Sequence, residues 1–193
     1  FFIHPAATGH AQESRGLGDV YKRQYKDCPG HPTWLEQEEW LGSSLTKHYP
    51  LQLISGQPHN RLHSQLDNGS ESQRDKISGR EPVKIHPHDA LTRKLKDGDI
   101  VEIFNKRGKC LAGVVISKEV MEGVVFLPVG AWYDPVDDGG FCVHGNPNVL
   151  TADIGTSSLA QGPSAHSTLV EVKRFVKELP PISILEKPNI VNK

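Results

Sequence analysis

Apolar residues along this chain come in short runs broken by glycine, proline and asparagine, and none keeps a helical period for long. The runs at 82–85, 100–104, 110–116, 124–128 and 168–172 are dominated by β-branched and apolar side chains, which fit a pleated, half-buried surface. Asn105-Lys106-Arg107-Gly108 and Met121-Glu122-Gly123 separate the middle three and read as turns. Another strand starts at Leu51 and breaks at Ser55-Gly56, where glycine tolerates positive φ and Pro58 then removes an N–H. One helix is predicted over 87–95, because proline suits a first helical turn and Asp89 complements the positive end of the dipole. Lys96-Asp97-Gly98-Asp99 closes it as a tight turn. Short strands at this spacing predict a compact barrel or sandwich, mainly β with short helices.

The stretches between these runs are polar. Residues 67–81 contain Asn68-Gly69 and Ser78-Gly79 and almost nothing apolar to bury, so a loop is expected. Residues 25–48 read as a linker pinned to a neighbouring surface by Trp34 and Trp40, with one helical turn over 36–41. The barrel itself is expected over 49–176, followed by a charged, proline-containing tail over 177–193 that should be poorly ordered. Residues 14–24 resemble a conceptual translation of a transposase sequencing adapter, so 1–24 is expected to be a leader foreign to the fold. The genuine part would then be the C-terminal portion of a larger protein.

Composition narrows the function classes. At 193 residues, 36% hydrophobic, the chain can bury one core. A net charge of -1 with scattered Lys and Arg gives no reason to expect nucleic acid, and no apolar run approaches the roughly 20 residues of a membrane span. Cys28, Cys110 and Cys142 are too widely spaced for a zinc knuckle or a disulfide framework and read as free thiols.

The chemistry concentrates in two polar clusters, one from Ser55 to Gln65 and one from Asn146 to Gln161. Neither has the spacing of a phosphate loop, and no carboxylate pair stands out as an acid/base couple. Ser164 and His166 lack the strand-turn-helix setting of a hydrolase nucleophile. His59 and His63 are four apart, but Pro58 denies them a helix that would aim both at a metal. Hydrogen bonding remains: Arg61, Asn146, Asn148, Gln57, Gln65 and Ser64 suit a large polar ligand with heteroaromatic rings and phosphates. The bland alternative is a pair of ordinary polar loops.

Four segments carry a family resemblance: the run from Leu53 to Gln65, Gly98 to Gly108, Ala131-Trp132-Tyr133-Asp134-Pro135, and Asn148 through Gln161. They resemble the C-terminal domain of the dimethyl sulfoxide reductase family of molybdenum enzymes, in its biotin sulfoxide, trimethylamine N-oxide and dimethyl sulfoxide reductase branch. The resemblance implies a six-stranded double-psi β-barrel of the aspartate decarboxylase-like type. It implies a share in binding bis(molybdopterin guanine dinucleotide) with its molybdenum, completed by upstream domains of the same parent chain. Ser55, Gly56, Gln57, Pro58, His59, Arg61, Leu62, His63, Ser64, Gln65, Asn146, Asn148, Asp153 and Gln161 would line that cofactor, with no catalytic residue and no metal ligand among them. The parent would reduce a small S- or N-oxide with electrons from a donor, and the fragment alone would be inactive. Rival readings are a double-psi barrel used as a protein-interaction module and a relative of formate dehydrogenase or nitrate reductase. The compartment, cytoplasm or periplasm, stays open. Three departures stand out: His86-Pro87 where the family often has Asn-Pro, Lys94 where it often has glycine, and a short loop over 134–141.

Overall fold

The computed structural model of the chain describes residues 26, 27, 29, 31–136, 141–158 and 162–187. The adapter-like segment 14–24, Cys28 and Gln161 fall outside them. The chain divides into two compact units, residues 38–152 with 165–193, and residues 1–37 with 153–164.

The larger unit carries seven strands: β1 (Leu51–Ile54), β2 (Pro82–Ile85), β3 (Ile100–Phe104), β4 (Lys109–Ile116), β5 (Val124–Phe126), β6 (Phe141–Cys142) and β7 (Leu169–Arg174). Their order is β2-β5-β1-β7-β3-β4, and β4 pairs back onto β2, so six strands close into a barrel while β6 adds to β4. Closure removes the unpaired edges that an open sheet would present. Two pairings around the barrel are parallel, β1 with β5 and β2 with β4, and the other four are antiparallel. Parallel neighbours cannot be joined by a hairpin, so the chain crosses over to make each pair. Those two crossings are the double psi that the resemblance implied.

Alternation fills the interior. Leu51 and Leu53, Val83 and Ile85, Val101 and Ile103, Val125, and Val170 and Val172 all turn into one core. β4 is buried continuously from Cys110 to Val114, so it reads as a solid apolar run instead of an alternating one. The strands at 82–85 and 100–104 match their expected bounds, those expected at 110–116, 124–128 and 168–172 shift by one or two residues at an end, and β6 was not expected.

Two short helices accompany the barrel, α1 (Ser70–Arg74) and α2 (Pro87–Thr92). α2 is shorter than the expected 87–95 because Lys94 takes a left-handed φ of 55° and Leu95 N–H bonds back to the Ala90 carbonyl at 2.9 Å. His86 caps it weakly, its Nδ1 accepting from His88 N–H at 3.3 Å. The helical turn expected over 36–41 is absent; a 3-10 turn over Ser44–Lys47 stands nearby, capped by Ser43.

Three expectations are corrected. Residues 67–81 are not a bare loop: they contain α1, and Asp67, Ser72, Arg80 and Glu81 are buried. The segment has little apolar surface, but it buries paired charge instead. The tail beyond Lys177 is not loose through residue 184, because Ser183 and Ile184 are hydrogen-bonded to Asp134. Trp34 is 70% exposed and so is not the buried anchor expected, whereas Trp40 is half-buried.

Residues 38–48 belong to the barrel unit, and Glu39 ties them there. Its carboxylate accepts a fork from Arg107, at 2.5 and 2.8 Å, and Leu169 N–H at 2.9 Å. Burial works to raise its pKa, but the Arg107 and Leu169 hydrogen bonds hold it below the usual carboxylate value. In the smaller unit, Asp27 accepts Ser158 N–H at 2.6 Å and Ser164 Oγ donates to the Ile154 carbonyl at 2.8 Å.

Candidate cofactor site

β1 delivers the first polar cluster directly. Ser55 is buried, its Oγ donating to the Leu127 carbonyl at 2.8 Å, and Gly56 accepts Val129 N–H at 3.0 Å. His166 Nδ1 accepts Ser55 N–H at 3.3 Å, a contact that no sequence pattern suggested. Beyond Pro58 the chain turns back on itself. Gln57 clamps His63, its Oε1 accepting His63 N–H at 2.9 Å and its Nε2 donating to the ring Nδ1 at 2.7 Å. His63 and Leu66 both take left-handed φ, 48° and 58°, which side chains other than glycine rarely adopt.

That loop is held from beneath by buried charge. The side chains of Arg61, Asp67, Lys76 and Glu81 are at most 2% exposed. Lys76 lies 2.6 Å from Glu81 Oε2 and 2.9 Å from Asp67 Oδ1, and Arg61 Nη2 lies 2.9 Å from Glu81 Oε1. Arg61 also donates to Ser72 Oγ at 3.0 Å and to the carbonyls of Val129 at 3.1 Å and His63 at 3.2 Å. Two cations face two carboxylates, so the cluster is neutral as long as His144 beside it is neutral. His144 is fully buried, donating from Nδ1 to the Trp132 carbonyl at 3.0 Å, and its Nε2 has no partner among the described residues. Burial and then the Lys76 charge push its pKa below the ordinary histidine value. For Asp67, burial works upward, but Trp132 N–H and Lys76 hold the carboxyl below its usual range.

The same cluster organises the loop after β5. Asp67 Oδ2 accepts Trp132 N–H at 2.9 Å, Trp132 Nε1 donates to the Ser64 carbonyl at 2.8 Å, and Asn146 Nδ2 donates to the Ala131 carbonyl at 2.8 Å. Gly130 sits at φ +97°, and a Cβ there would lie 1.8 Å from the His63 carbonyl oxygen, so only glycine lets the two loops meet. Between them opens a cleft of about 440 Å³ lined by His63, Ser64, Gly130, Trp132, Tyr133 and Asn148, among others.

The predicted residues therefore separate by role. His63, Ser64, Asn146 and Asn148 meet at this cleft, with the side chains of His63, Ser64 and Asn148 exposed. Gln57, Pro58 and His59 line a second hollow of about 220 Å³ with Asn60, Asp75 and Phe126. Leu62 and Gln65 are exposed, and Ser55, Gly56 and Arg61 serve as supports. Arg61 spends its guanidinium on protein partners, which leaves it a strut beneath the loop and not a donor toward solvent. Asp153 is exposed in the smaller unit, and Gln161 lies outside the described residues. Sequence reasoning missed Trp132, Tyr133, His144 and the Asp67–Lys76–Glu81 triad. The Ala131–Pro135 motif was the one signal available for the first two.

Among the described residues no group of three metal-ligating side chains comes together, and no helix is long and apolar enough to cross a membrane. The described residues thus form a closed barrel that presents a preformed polar cleft. Residues 51–169 match the family described as "Molydopterin dinucleotide binding domain", and the chain belongs to that family. It is 45% identical over 176 residues to "Trimethylamine-N-oxide reductase" of Haemophilus influenzae, covering 89% of this chain and 21% of that protein. It is 44% identical over 170 residues to "Biotin sulfoxide reductase" of Cereibacter sphaeroides, covering 88% of this chain and 23% of that protein. To "Dimethyl sulfoxide/trimethylamine N-oxide reductase" of the same organism it is 39% identical, covering 90% and 22%. The chain thus spans about a fifth of the length of the curated relatives it matches. Acetylene hydratase from Pelobacter acetylenicus shares the fold at a TM-score of 0.61 and 19% identity, over 76% of this chain and 21% of that one.

Proposed function

We propose that this chain is the cofactor-holding domain of a molybdenum-dependent reductase acting on S- or N-oxides, and that it seats one side of bis(molybdopterin guanine dinucleotide). The reading rests on one observation above the others: exposed hydrogen-bonding heads, His63, Ser64 and Asn148, stand on a rigid buried base around one cleft. A pterin is a flat heterocycle edged with donors and acceptors, and a polar cleft of about 440 Å³ with an indole and a phenol in its wall suits such a ring. Bound there, the cofactor would supply the two-electron oxygen-atom-transfer chemistry.

The protein's part is orientation. His63 lines the cleft and is held by Gln57, whose Nε2 lies 2.7 Å from the ring Nδ1 and 2.9 Å from the ring Nε2. The Asn148 backbone is fixed by the Asn146 side chain, whose Oδ1 accepts Asn148 N–H at 2.9 Å. Trp132 is tied at both its backbone and its indole. Ser55 and Gly56 anchor the loop where it leaves β1. Asp153 and Gln161 are proposed to extend the cofactor contacts along the second loop, on the strength of the family resemblance alone. No proton transfer is assigned to any of these residues, and the isolated domain is expected to have no reductase activity.

The test is made on the whole protein. His63→Ala and Asn148→Ala should each lower bound pterin and molybdenum per chain and leave thermal stability within about 0.5 kcal/mol. Cofactor content equal to that of the unaltered protein in both variants would sink the assignment.

A further inference from the structure

The wall of the cleft has a second anchor that the cofactor reading does not use. Asp134 follows Tyr133 directly and is 3% exposed. Its carboxylate faces the segment after β7: Oδ2 accepts Ser183 N–H at 2.7 Å and Ile184 N–H at 3.1 Å, and Oδ1 accepts Ser183 Oγ–H at 2.7 Å. A buried carboxylate is stable only with donors of this kind, and here three come from a single stretch of chain. Arg80, also buried, donates to the Pro180 carbonyl, and Ile182 Cδ1 packs over Gly79. Residues 180–184 are therefore held at three successive points, although the proline and charge content of 177–193 predicts a loose tail.

Beyond the bonds that its carbonyls at Ala131, Trp132 and Asp134 accept from Asn146, His144 and Val143, the loop from Gly130 to Pro135 is held by a side-chain fixture on either side of Tyr133. Trp132 is tied to the Asp67 cluster at one side and Asp134 to residues 183–184 at the other, with Tyr133 between them on the cleft. We propose that residues 180–184 form a strap that positions Tyr133, with Asp134 and Ser183 as its positioning residues, and so sets the cleft wall against which the pterin lies. The inference rests on the proposed seat of the cofactor, although the strap itself does not.

The experiment compares the whole protein with two variants, one with the chain ended after Leu179 and one carrying Ser183→Ala with Ile184→Pro. The second removes two strap donors without altering any cleft residue. Hydrogen exchange followed by mass spectrometry reads the amides of 130–136 against those of β7, and pterin loss on dialysis is read in parallel. The strap requires exchange at 130–136 to rise about tenfold or more in both variants with β7 unchanged, because at least two net hydrogen bonds are lost. Pterin should be lost about tenfold faster as well. Unchanged exchange at 130–136, or an equal rise in β7, overturns the strap. Faster exchange with unchanged pterin loss overturns its role at the cleft. A starting protein without pterin overturns the proposed function while the exchange arm still decides whether the strap positions the wall.

Discussion

Replacing Lys76 by Met probes the base on which both loops stand. Methionine keeps much of the stem's packing and removes only the ammonium. That ammonium sits 2.6 Å from Glu81 and 2.9 Å from Asp67, at 1% exposure, so its loss leaves two buried carboxylates with Arg61 as the remaining cation. Breaking a buried pair from one side costs about 3–5 kcal/mol, because the orphaned charge cannot reach water. Adding Asp67→Asn restores neutrality and keeps an acceptor for Trp132 N–H, so the double variant should regain about 2 kcal/mol of that loss. The pH dependence has a defined sign. In the unaltered protein Asp67 is held below its ordinary value, so its contribution is present above the unfolded carboxylate pKa and is lost as pH falls through the folded one. In Lys76→Met the orphaned carboxylate is pushed upward by burial, so the penalty is largest at neutral pH and shrinks as the medium is acidified. Urea denaturation of the single and double variants at a series of pH values measures all three quantities. A penalty below about 1 kcal/mol, or strictly additive effects in the double variant, would refute the claim that this cluster is a coupled buried unit.

Gly130→Ala should destabilise by about 2 kcal/mol or more and loosen the loop at His63, since its Cβ would meet the His63 carbonyl at 1.8 Å; an unshifted urea midpoint contradicts this. Lys94→Gly should stabilise by about 1 kcal/mol by relieving a left-handed φ of 55°, and a lowered melting temperature would count against that account of how α2 ends. His144 is buried neutral with a lowered pKa, so the unfolded chain takes up a proton before the folded one does. Stability should therefore fall as pH drops below about 6.5, with a slope that His144→Gln flattens in denaturation curves. Burial pushes the Cys110 thiol well up, and Cys110 and Cys142 are both buried free thiols, so neither should react with iodoacetamide at pH 8 until the barrel unfolds; rapid native labelling contradicts their placement.

The strands other than β6 were legible because β-branched runs bounded by Asn-Lys-Arg-Gly and Met-Glu-Gly leave little other choice, and the core residues on β1, β2, β3 and β7 follow from simple alternation. The closure of β4 onto β2 was not visible in the pattern, since pairing partners far apart in sequence leave no local trace, and it came from resemblance alone. The same limit hid the base of the site. Residues 67–81 looked like solvent-facing loop because burial is usually read from apolar residues. Here Asp67, Lys76 and Glu81 are buried as mutual partners, which a polarity pattern cannot distinguish from exposure. Arg61 shows a related limit: its residue type suits a phosphate, and the sequence could not reveal that Ser72, Glu81 and Val129 take its donors in this structure. Tail residues 183–184 find Asp134 about 50 positions earlier, a contact of the kind that no spacing rule predicts.

The most direct test of the central claim is the pterin and molybdenum content of the whole protein, measured beside a His63→Ala/Asn148→Ala double variant of unchanged melting temperature. A bound molybdopterin dinucleotide is expected in the unaltered protein, with a loss of about tenfold or more in the double variant, as follows when hydrogen bonds to a buried polar ring are removed. Equal content in the two proteins, or no pterin in either, would contradict it.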